Sequence, residues 1–197
     1  MMAGHRPRVW LSDLYSAQAK HPADEWQVCL AHQLRDCQYA IDAGDRTFAP
    51  AMKVLLLRAM AMDKRRSTLA ASSLKTYRYD LERRLEACLM IATDNADGQR
   101  LKKRYRQVGQ HLFVFLTHEG VAATNNGSER ALRPSVIYRK VTNGFRSSWG
   151  AQLFAAVRTV VNTGQRLGLT AYEAIKRALS PVESFLDLGL GLKLESG

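Results

Sequence analysis

Two short segments near the start of the chain, Pro7–Leu11 and Trp26–Leu30, read as strands, and a large helical block follows them. Both are apolar and rich in aromatic or β-branched residues, as buried strands are. A brief helix over Leu14–Lys20 is predicted between them, closed by His21-Pro22. From Ala31 the apolar spacing turns helical. A helix over Ala31–Ala43 should stop at Gly44, and Pro50 suits the first turn of a second, Ala49–Met62. After a polar break at Asp63–Arg66, Leu74, Tyr77, Leu81, Leu85 and Cys88 recur at threes and fours. Leu101, Tyr105, Val108, Leu112 and Phe115 repeat that rhythm beyond Asn95–Gly98. The expectation is an antiparallel helical hairpin inserted into a small α/β domain that is mostly helical.

After Gly120 the chain becomes small and polar, Ala123–Ser128, and leads into Glu129-Arg130-Ala131-Leu132-Arg133. Pro134 is expected to end or kink that helix. Helices over Ala151–Leu167 and Ala171–Leu179 follow, the last with Thr170 and Glu173 spaced as a capping box. The expected divisions are therefore 1–47 (strands and first helix), 48–120 (helical insertion), 121–180 (C-terminal helices) and a 181–197 tail.

The formal charge of +11 and pI near 9.9 call for a polyanionic partner, nucleic acid before anionic membrane. No apolar run approaches the roughly 20 residues a bilayer requires, and the first residues lack the apolar region of a signal peptide. The expected location is cytoplasmic, at the nucleoid. Cys29, Cys37 and Cys88 include no CxxC pair, and buried thiols explain them more simply than disulfides. Cys29 and His32 have zinc-like spacing without a second pair.

Two carboxylates stand out. Asp13 follows the first strand, where α/β sheets collect ligands, although a strand-end aspartate more often makes a turn. Glu129 lies near a helix start, where it could be a simple capping acid. Arg130, Arg133, Arg139, Lys140 and Arg146 surround it in sequence, as in a site that holds phosphates. Phe145 and Trp149 could stack on bases, and more often such residues pack in a core.

The run TNNGSERALRPSVIYRKVTNGFRSSWGAQLFAAVRTVVNTGQRLGLTAYEAI resembles the C-terminal signature of insertion-sequence-66-type DDE transposases. WLSDLYSAQ and WQVCLAHQLRD resemble that family's second-aspartate strand and its C-x-x-H segment. The resemblance implies part of a ribonuclease-H-like fold with a helical insertion, and three carboxylates binding two Mg²⁺ or Mn²⁺ ions. Asp13 matches the second acid and Glu129 the third. The first is expected upstream of Met1, so this fragment alone is expected to be inactive. Cys29 and His32 are implied to support the active site. By spacing alone, Asp36, four residues on from His32, could orient it or make a plain surface pair with it. The implied partners are transposon ends and target DNA, with full-length transposase or a second copy of the chain beside them. The alternative is a non-catalytic basic helical protein that binds nucleic acid or modulates a transposase.

Overall fold

A computed structural model describes residues 6–15 and 21–180. The helix expected over 14–20 thus falls largely outside the described residues, as does the 181–197 tail. Strands β1 (Val9–Ser12) and β2 (Glu25–Val28) pair in parallel, with Val9 opposite Glu25 and Ser12 opposite Val28. The second strand stops two residues before the predicted Leu30. Cys29 serves as the N-cap of α1 (Leu30–Asp42), and the Leu30 N–H leaves the ladder for the Ala123 carbonyl, 2.9 Å away.

Helix α1 ends as the sequence predicts. Gly44 takes φ +99°, its N–H bonds the Ile41 carbonyl, and the Asp45 N–H bonds that of Ala40. That pair of bonds is the Schellman closure, which favours glycine at the left-handed position. Helix α2 (Phe48–Arg65) holds Pro50 in its first turn and runs three residues past the predicted Met62. Asp63, Lys64 and Arg65 look like a break because they are charged, yet none of them breaks a helix.

Helix α3 (Ala71–Met90) and helix α4 (Ala96–Val108) match the two apolar stripes. The interruption lies slightly earlier than expected. The Asn95 side chain accepts from the amides of Asp97 and Gly98, so both belong to the first turn of α4. The second stripe outlasts its helix: Leu112–Leu116 are buried in and around two short 3₁₀ turns, Gly109–His111 and Val114–Leu116. One hydrophobic core joins Val28, Phe48, Met52, Leu56, Leu81, Leu101, Tyr105, Phe113 and Phe115. Buried Gln27 ties β2 to the turns: its amide nitrogen donates to the Leu112 carbonyl (2.9 Å), and its oxygen accepts from the Phe115 N–H (2.8 Å). Both ends of this polar group are therefore satisfied inside the core.

The described residues form two compact units, divided between Ser128 and Glu129. The helix α5 (Asn126–Thr142) begins at the end of the first and runs into the second, which also contains α6 (Ser148–Arg166) and α7 (Ala171–Leu179). Pro134 does not end α5. A proline removes one intrahelical bond, here to the Arg130 carbonyl, and the helix runs through that loss. The Thr170–Glu173 capping box forms as predicted. Among the described residues no helix is long and apolar enough to cross a membrane.

In the second unit Gly164 sets how closely α6 meets α7. A Cβ there would lie 2.3 Å from the Ala174 Cβ. Gly164→Ala must therefore separate the two helices, at a cost of about 1–3 kcal/mol. The expected result is early loss of α7 amide protection in hydrogen exchange, with the first unit unchanged; unaltered α7 protection would contradict it.

Candidate active site

The C-terminal end of β1 places Asp13. The Ser12 carbonyl accepts the Cys29 N–H at 2.8 Å, and the Ser12 hydroxyl accepts from the Trp26 indole at 2.8 Å. Asp13 follows at once, half-buried, with Oδ1 accepting the Tyr15 N–H at 3.0 Å. This carboxylate makes a local turn with one oxygen, which leaves lone pairs on the group for another partner.

Cys29 joins that strand end to the approach to α5. It is fully buried, its thiol donates to the Asn125 Oδ1 at 2.9 Å, and its sulfur accepts the Asn125 N–H at 3.3 Å. The Leu30 amide holds the Ala123 carbonyl on the same side. From the other side, Asp63 accepts the Ala123 N–H at 3.2 Å, and Arg66 donates to the carbonyls of Phe115 (2.6 Å) and Val121. Residues 121–125 are thus fastened by α1 and by the end of α2. Asn125, Asp63 and Arg66 were not singled out from sequence; their partners lie 49 to 96 residues away, beyond any local pattern.

His32 and Asp36 lie on α1, both half-buried, and Asp36 makes an ion pair with Arg104 of α4. That pair links two helices of the first unit. Cys37 behaves as the plain core thiol the sequence suggested: burial pushes it up to about 11, against the Tyr105 hydroxyl 3.4 Å away. Burial also raises Cys88.

Glu129 lies exposed in the first turn of α5. Arg130, Arg133, Arg139 and Lys140 are exposed along the same helix, and Arg146 is exposed in the loop after it. Glu129, Arg133 and Lys140 share a face by spacings of four and seven. Among the described residues no ion pair engages these five cations, whereas Asp80 alone gathers Arg58, Arg83 and Arg84 in the first unit. Phe145 stacks within its own unit, with ring centroids 5.1 Å from Tyr138 and 5.3 Å from Phe154, while Trp149 is 69% exposed.

The carboxylate oxygens of Asp13 and Glu129 suit a hard divalent cation. Among the described residues no three His, Cys, Asp or Glu side chains gather as a metal site.

A sequence model described as the Transposase IS66 family matches residues 2–153. Comparison with curated proteins and with solved structures found no match. The family match takes in β1, β2, the helical block, α5 and the start of α6, which is most of the chain. The chain belongs to the IS66 family of transposases.

Proposed function

We propose that this chain is the DNA-binding, later part of a DDE-type catalytic domain of ribonuclease-H-like fold, in which Asp13 and Glu129 are carboxylates of DNA strand cleavage and transfer. The observation that carries the reading is the meeting of three segments: the strand end that bears Asp13, the Cys29 cap, and Asn125 just before α5. A parallel strand pair with an acid beyond its carboxyl end is where α/β folds collect ligands. Mg²⁺ or Mn²⁺ is the proposed cofactor; when bound, such ions activate the attacking oxygen and stabilise the leaving one. Cys29, His32 and Asp36 are proposed to hold the scaffold behind that chemistry, and the setting is the nucleoid.

Two carboxylates are too few for this chemistry. Two divalent ions bring four positive charges, a phosphate offsets about one, and Asp13 and Glu129 offset two more. The 197-residue chain alone is therefore proposed to bind DNA without joining strands. Appearance of joined product from the purified chain with Mn²⁺ and the element's own ends would show that it completes the acid set itself or through a second copy.

Arg130, Arg133, Arg139, Lys140 and Arg146 are proposed as the phosphate contacts. If each neutralises one phosphate, log affinity falls with log salt at a slope of about −4.5, or roughly 500-fold between 50 and 200 mM. Replacing Arg133 and Lys140 together by Ala should reduce the slope by about two, at similar cost on unrelated DNA sequences. Titration by fluorescence anisotropy reads both numbers. A slope that does not change in the double variant removes α5 from the DNA interface.

A further inference from the structure

We propose that Asp63 and Arg66, at the end of α2, are positioning residues for segment 121–125, the stretch that leads into α5. This rests on the reading that Glu129 is a carboxylate of strand transfer. The segment itself, Val121-Ala122-Ala123-Thr124-Asn125, has little side chain with which to anchor its own course. It emerges from Gly120 at φ +77°, a conformation that costs most residues strain. Burial of Ala123 in the core, the Asn125 side chain on Cys29 and polar bonds to the backbone together set its place. The Arg66 guanidinium shares one nitrogen among the carbonyls of Phe115, His118 and Val121. Asp63 takes the Ala123 amide and lies 3.9 Å from Arg66, so each charge is balanced by the other while it grips the loop. Across the segment, the Leu30 amide takes the Ala123 carbonyl and Cys29 takes Asn125.

The arrangement clamps both faces of a single residue, Ala123, whose N–H goes to α2 and whose C=O goes to α1. Removing the α2 half frees the segment to slide along the α1 half. A displacement of about 1 Å at a reacting group costs on the order of a hundredfold in rate, so a loop restraint of this kind acts on chemistry while leaving the core in place. Charged hydrogen bonds to backbone groups suit that task because they are directional, unlike apolar packing.

Cys29 reports on the clamp. It is fully buried and Asn125 touches its sulfur, so release of the segment uncovers the thiol. Cys37, equally buried but in the core beside Tyr105, is uncovered only when the first unit unfolds. In Arg66→Met and in Asp63→Asn, iodoacetamide labelling of Cys29, read by peptide mass, is expected to rise tenfold or more with Cys37 unchanged. Arg66→Lys, which keeps the charge and three donors, is expected to recover slow labelling in part. Cys29 remaining slow in both variants, or Cys29 and Cys37 rising together, overturns the clamp. In cells carrying the complete insertion element, excision is expected to fall at least tenfold in Arg66→Met at unchanged protein level and DNA affinity, and to recover in Arg66→Lys. Normal excision despite released Cys29 overturns the positioning role. Full excision by Glu129→Gln is a separate result, and it sinks the reading beneath the proposal instead.

Discussion

Asp13→Asn and Glu129→Gln are each expected to lower excision of a complete insertion element in cells by about a hundredfold or more, equivalent to roughly 2.7 kcal/mol of lost transition-state stabilisation. Both substitutions remove a charge and keep a shape. The amide oxygen of an asparagine at position 13 can still accept the Tyr15 N–H that Asp13 Oδ1 accepts at 3.0 Å, so the turn after β1 survives. At position 129 the side chain is exposed in the first turn of α5, and glutamine is as good a helix former as glutamate. Glutamine keeps the length and an accepting oxygen of glutamate there, and the helix-dipole interaction it gives up is worth about 0.3–1 kcal/mol. Stability and DNA affinity should therefore hold while excision collapses. Glu129→Gln should even bind DNA slightly better, since it removes a negative charge beside Arg130 and Arg133. Excision within threefold of the parent in either variant would remove that residue from the chemistry, and a parallel loss of DNA affinity would reassign it to binding.

The parts of the fold that could be read in the sequence are those set by neighbours in the chain. Gly44 closes α1 because a left-handed residue is needed two positions past the last helical turn, and glycine announces that locally. Thr170 and Glu173 cap α7 for the same reason: the two partners are three residues apart. The errors came where a local cue met a distant partner. Trp26–Leu30 looks like one apolar strand, yet the Leu30 amide is claimed by Ala123 and the helix begins there. Asp63–Arg66 looks like a solvent-facing break, and instead two of its four residues hold a loop some 50 to 60 residues on.

The candidate site divides in the same way. Cys29 was singled out through family resemblance, but its partner Asn125 could not be found from spacing. Asp36 sits four residues from His32 on one helix, and the structure shows it also reaching Arg104 on another. Pro134 is a further lesson in magnitude. A proline calls for an end or a kink, and α5 does not end there but continues for eight residues beyond it.

Asp45→Ala and Gly98→Ala are expected to destabilise the first unit by about 2–4 kcal/mol each, and the double variant by clearly less than their sum. Asp45 is buried at 1% exposure between the end of α1 and the start of α2. Its Oδ1 accepts the Thr47 amide (3.0 Å) and the Thr93 hydroxyl (3.1 Å), and its Oδ2 accepts the Ala49 amide (3.0 Å). Those amides have no partner inside α2, so an alanine strands buried donors as well as removing a charge-assisted bond. Gly98 explains why the carboxylate fits: a Cβ there would lie 2.2 Å from Asp45 Oδ2 and 2.8 Å from the Thr93 hydroxyl. Gly98→Ala therefore acts by displacing the same carboxylate, and once Asp45 is gone most of that collision is gone too. A coupling of at least about 1 kcal/mol is expected, read from urea unfolding by Trp10 and Trp26 fluorescence in a Trp149→Phe background. Acid should narrow the difference. Burial pushes the Asp45 carboxyl up, but the amides of Thr47, Ala49 and Phe48 and the Thr93 hydroxyl outweigh burial and hold it below its ordinary 3.8. A lowered folded-state value means that the ionised carboxylate stabilises the fold in full above about pH 4, and that this is lost as pH falls through the lowered value. The gap between parent and Asp45→Ala should thus be constant from pH 7 down to about 4 and shrink below it. Strict additivity of the two substitutions would show that Gly98 and Asp45 do not act as one unit, and a gap that widens in acid would show that the ionised carboxylate is not what stabilises the fold.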